Sequence, residues 1–74
     1  MRMPLSRRAR KKAWLAQEIA AQHKWIEAHG GSMAGYVERY GSKDDAEHSG
    51  DGGEAIYTAD RNHLFMLCRR YKDL

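Results

Sequence analysis

The strongest constraint on this chain is the run from Ser6 to His29. No glycine or proline interrupts it, and Gly30-Gly31 closes it. Ala9, Ala13, Ala16, Ala20, Ala21 and Ala28, with Leu15, Gln17 and Glu18 beside them, are strong helix formers. Ser6 suits an N-cap, and a glycine past the last turn adopts the left-handed conformation that ends helices. Arg7 to His29 therefore reads as one helix, roughly 34 Å long. The whole chain has 74 residues, so the rest must pack along that helix or against its ends.

The helix carries two apolar stripes. At 100° per residue, Leu15, Ile19 and Ile26 fall within about 40° of one another. Trp14, Ala21, Trp25 and Ala28 form a second stripe, and Glu18, Gln22 and His29 run between the two. Ser32 is placed to cap a second helix, Met33 to Tyr40, whose Met33, Tyr36, Val37 and Tyr40 follow helical spacing. Residues 41–53, GSKDDAEHSGDGG, lack apolar periodicity and read as a flexible acidic loop. The last stretch, from Glu54 onward, reads as a third helix with Ile56, Tyr57, Leu64, Leu67, Cys68, Tyr71 and Leu74 on one arc. Asp60 falls on the same arc, so it needs a cap or a partner there. The expected fold is all-α. The alternative is α+β, with residues 33–40 and 54–59 as a small hairpin, because Tyr36, Val37, Tyr40, Ile56, Tyr57 and Thr58 favour strands.

A chain of this length makes a single small domain, residues 1–74, with room for only a modest core. Its charge is divided. Residues 1–12 form a basic arm with six Lys or Arg and no acid; the other 62 residues carry seven Lys or Arg and ten Asp or Glu. No apolar run is long enough to span a membrane, and the basic start lacks the apolar segment of a secretory signal. One cysteine, Cys68, forms no internal disulfide, which suits a reduced, cytoplasmic setting. On the apolar arc, Cys68 reads as an inert small hydrophobe.

Within the arm, Arg7, Arg8, Arg10, Lys11 and Lys12 are the candidate nucleic-acid contacts, since cations that neutralise phosphates release counterions. On a helix beginning at Ser6 they spread around the axis, where they oppose the macrodipole, so an anionic partner would relieve them. Trp14 and Trp25 are the candidate partner-binding residues. Eleven positions apart, they share a face. Filling the core of a small domain is the commoner role for two tryptophans; an exposed anchoring face is the other.

Metal and catalytic chemistry find little support. Asp45, Glu47, Ser49 and Asp51 resemble the start of a calcium loop, but the position that needs a bidentate glutamate is Ile56. His23 and His29, and likewise His63 and Cys68, diverge at their spacings on a helix, so no zinc set forms. No acid–base pair or phosphate-cradling loop is visible, and neither an enzyme nor a cofactor is expected.

The segments HGGSMAGYVERYG and GDGGEAIYTAD, residues 29–60, resemble the small, uncharacterised accessory proteins of actinobacterial phages. The resemblance implies a context only: a phage-encoded protein in a host bacterial cytoplasm, working by binding. Two functions follow as expectations. One is a non-enzymatic protein that associates with nucleic acid through the arm, with little sequence specificity and with self-association through its helices. The alternative is a protein–protein modulator that docks on a host protein through Trp14 and Trp25.

Overall fold

The computed structural model describes residues 6–44 and 52–74 and is all-α. Helix α1 spans Arg7–Ala28, α2 spans Met33–Tyr40 and α3 spans Gly52–Asp73. The strand alternative is overturned: residues 33–40 and 54–59 are helical, and the described residues contain only an isolated bridge between Ser42 and Gly52. Strand-favouring tyrosines sit in these helices because the rings have a core to enter, and burial outweighs a propensity difference of under ~1 kcal/mol. Helix α3 starts two residues earlier than expected, because Gly52 takes a left-handed φ of 64° and admits the chain to the first turn.

Each helix end has a chemical cause. The hydroxyl of Ser6 accepts from the Ala9 N–H at 3.1 Å, and that of Ser32 from the Gly35 N–H at 3.1 Å. At the end of α1 the Gly31 N–H donates to the Ile26 carbonyl at 2.8 Å, with Gly31 at a φ of 77°. Where α2 meets α3, the Gly53 N–H donates to the Gly41 carbonyl at 2.8 Å, and the Glu54 carboxylate accepts from the Lys43 N–H at 2.8 Å. The two contacts fasten both ends of the loop. The near-miss calcium sequence and the central part of the expected flexible loop, residues 45–51, lie outside the described residues, as do residues 1–5 of the arm.

Helices α1 and α2 both pack on α3. Contacts along α1 and α3 run in opposite order: Arg8 reaches Leu74, Lys12 reaches Tyr71, and Gln22 reaches Asp60. The pair is thus an antiparallel hairpin of two 22-residue helices, each about 33 Å long. Leu15, Ile26, Tyr36, Leu64 and Leu67 are the buried apolar side chains. Ile26, Tyr36 and Leu64 form a cluster with Ile19, Tyr40 and Tyr57 packed around it. The Tyr36 ring meets the edge of Tyr57 at 5.1 Å and lies 5.7 Å from Tyr40. Its hydroxyl donates to the Asp60 carboxylate at 2.7 Å, and the Trp25 indole N–H donates to the same oxygen at 3.2 Å. Asp60 sits on the apolar arc because it has these two donors. Cys68, expected on the buried arc, is exposed at its edge.

Candidate nucleic-acid interface

Because α1 and α3 are antiparallel and equally long, the start of one lies beside the end of the other. Arg7, Arg8, Arg10, Lys11 and Lys12 of α1 therefore share one end of the molecule with Arg69, Arg70 and Lys72 of α3. That end holds eight cations, and Asp73 is the one acid there among residues 6–16 and 64–74. The remaining described residues reverse the balance, with four cations and six acids. The fold turns a basic arm into a basic pole.

The α1 cations have different duties. Arg8 turns onto α3, its guanidinium Nε donating to the Leu74 main-chain oxygen at 2.8 Å while Nη2 reaches the same atom. Lys12 places its ammonium 5.0 Å from the centre of the Tyr71 ring. These two fasten α1 to α3. Arg7, Arg10 and Lys11 remain exposed. At 100° per residue they fall in an arc of about 100° that also contains Trp14. The full set of five does spread around the axis, as its spacing requires, but the three not used inside the chain lie together. On α3, Arg70 and Lys72 lie in the last turn, where the carbonyl end favours positive charge, and Arg69 directly precedes it.

The tryptophans do not fill the core. Trp14 is 53% exposed and Trp25 is 52% exposed. The core is closed instead by the neighbouring positions Leu15, 1% exposed, and Ile26, 4% exposed. The two indoles also differ from each other. Trp25 donates its N–H to Asp60, and its ring stacks on His29 at 3.9 Å between centroids. Trp14 has no hydrogen-bond partner among the described residues and shares its arc with three cations. Phe65 and Met66 of α3 are exposed as well.

At the far end an open hollow of about 440 Å³ is lined by Lys43, Glu54, Ala55, Thr58, Ala59 and Asn62. Two of its polar groups are already engaged: Glu54 with the Lys43 N–H, and the Thr58 hydroxyl with the Glu54 carbonyl at 2.8 Å. No helix of the described residues is long and apolar enough to cross a membrane.

Arg69, Arg70 and Lys72 read in sequence as partners of the α3 dipole, not as part of the arm's surface. The signal that joins them is the pairing of two equal helices, one beginning and one ending in cations. No protein-family model, curated protein or solved structure matches this chain.

Proposed function

We propose that this chain is a non-enzymatic binding protein that engages nucleic acid at its basic pole, with little sequence specificity. The observation that carries the reading is the convergence of arm cations and α3 cations at one end. Six of them, Arg7, Arg10, Lys11, Arg69, Arg70 and Lys72, lie exposed on two helices. Phosphates approaching this end meet positive charge on both helices, and the release of condensed counterions drives association. Base reading in a groove uses several side chains on one helix face that meet base edges, Arg or Lys on guanine and Asn or Gln on adenine. The exposed cations of the pole are divided between two helices, no Asn stands among them, and Gln17 is the nearest amide to the arm in sequence. Contacts of this kind position a backbone and do not choose a sequence.

Fluorescence anisotropy with a labelled nucleic acid tests the reading. If about four phosphates are neutralised on a duplex, affinity drops about 100-fold between ~50 and ~200 mM salt. Arg70→Ala weakens binding about as much as Arg10→Ala, although the two are 60 positions apart in sequence. Lys24→Ala, away from the pole, leaves binding nearly unchanged. Absence of binding to single strands and duplexes alike at ~50 mM salt would sink the proposal. A second reading, docking on a protein, is supported by the half-exposed Trp14 and Trp25 on one side of α1. Under it Trp14→Ala abolishes capture of the partner while the pole variants change only its on-rate.

A further inference from the structure

Resting on that reading, we infer that Trp14 is a base-stacking platform and that the preferred ligand is single-stranded nucleic acid. Three observations at the basic pole support this. The first is the exposure of Trp14, a residue 53% exposed although Leu15 beside it is sealed. A core role does not account for an indole left in water, since its apolar area favours burial. The second is its neighbours. Arg7, Arg10 and Lys11 stand seven, four and three positions before it, on the same arc and within two turns. A strand whose base covers the ring has its phosphates beside these cations. The third is the contrast with Trp25. That indole is built into the fold, covered on one side by His29 and tied by its N–H to Asp60. Trp14 makes neither a side-chain hydrogen bond nor a ring stack among the described residues.

The chemistry then selects the ligand. In a duplex both faces of each internal base are stacked, and only edges and phosphates face outward. An unpaired base offers a whole π-face, and an indole accepts any of the four because each base has one. Duplex binding at this pole is electrostatic alone; single-strand binding adds stacking. The two parts separate by salt. Removing a cation lowers the slope of log affinity against log salt by about 0.7 on a single strand. Removing a stacking ring lowers affinity at every salt concentration and leaves the slope unchanged.

The experiment uses the full chain, a labelled oligothymidine of about a dozen nucleotides and a mixed-sequence duplex of similar length, each titrated across salt. Trp14→Ala is expected to weaken oligothymidine binding about 5- to 150-fold without altering the salt slope, and to leave duplex binding unchanged. Trp14→Phe recovers part of the loss. Arg10→Ala shows the opposite pattern, a changed slope on both ligands. Circular dichroism confirms that each variant keeps its helix content; position 14 is exposed, so alanine there costs the fold little. If Trp14→Ala weakens neither ligand while both bind in a salt-dependent way, the stacking inference is overturned and the basic-pole reading stands. If neither ligand binds, both fall together. If Trp14→Ala instead changes the molecular mass in sedimentation and not the affinity, the ring belongs to a contact between copies and the inference is likewise overturned.

Discussion

Tyr36 and Asp60 show how one polar pair is made to serve a small core. Tyr36 is fully buried, and its hydroxyl ends on the Asp60 carboxylate, which also takes the Trp25 indole N–H. Through Asp60 side-chain bonds from α1 and α2 converge on one residue of α3. Burial is the main reason the Tyr36 phenol resists ionisation, and the hydrogen bond it donates to Asp60 adds to it. Both favour the neutral hydroxyl, so its pKa is raised well above the ordinary phenol range. In the unfolded chain the phenol loses its proton near pH ~10, whereas in the folded chain it holds it beyond that. This stabilisation is fully present below pH ~10 and is lost as pH rises through the alkaline range, where the unfolded chain binds fewer protons. Thermal melts followed by circular dichroism should show Tm falling as pH rises past ~10. Tyr36→Phe, which has no proton to lose, should flatten that fall. An equal alkaline loss in both proteins would mean that Tyr36 is not its source.

At the scale of elements, α2 packs backbone against backbone on the first turn of α3, and glycine allows it. A Cβ at Gly53 would lie 2.4 Å from the Tyr36 carbonyl oxygen and 2.6 Å from the Val37 nitrogen. Both are backbone atoms, so neither can swing aside. Helix propensity alone favours Gly53→Ala by roughly 1 kcal/mol. Steric overlap in a packed site costs about 1–3 kcal/mol and has the opposite sign. The clash should win, and denaturant unfolding should show Gly53→Ala less stable than the parent; a gain in stability would mean that α2 does not sit this close. The sequence displays Gly52-Gly53 as the end of an acidic loop, because a glycine that admits a neighbour looks the same as one that permits a turn. The helices were legible for the opposite reason. Ser6, Ser32, Gly30-Gly31 and Gly41 act within a few residues of themselves, and their caps lie where local chemistry puts them. Whether Trp14 and Trp25 face inward depended on what lay across from them. Leu15, Ile26 and Leu64 already fill that space, so the rings stay outside. The same dependence hid Arg69, Arg70 and Lys72, which join the arm only through a hairpin that residues 60 positions apart define.

The whole molecule is electrically lopsided, and this gives salt two opposite effects. Eight cations and one acid occupy the end where α1 starts and α3 stops, while the rest of the described chain is mildly acidic. In the folded state the pole gathers charges that the unfolded chain holds far apart, since Arg8 meets Leu74, just beyond Arg69 and Arg70 at the end of α3, only when the hairpin closes. Self-repulsion of this kind disfavours the compact state. Arg7, Arg8 and Arg10 also face the positive end of the α1 dipole, with no acid in that first turn to offset them. Both penalties are screened as the Debye length shrinks from about 30 Å at 0.01 M salt to about 8 Å at 0.15 M. Tm should therefore rise over that range, whereas affinity for nucleic acid should fall over the same range. A polyanion should replace salt: an oligonucleotide at about 100 times its Kd adds about 2.7 kcal/mol of stability by mass action. For a domain of this size that corresponds to a rise of roughly 10–20 °C in Tm. Melts at low salt with and without the oligonucleotide measure the effect directly. Arg7→Gln with Arg10→Gln should raise the low-salt Tm of the free protein and reduce the oligonucleotide-induced rise, because these charges face both the α1 dipole and the other cations of the pole. If that double variant lowers the free protein's Tm at low salt, the cations at the start of α1 support the fold, and the pole is not under strain.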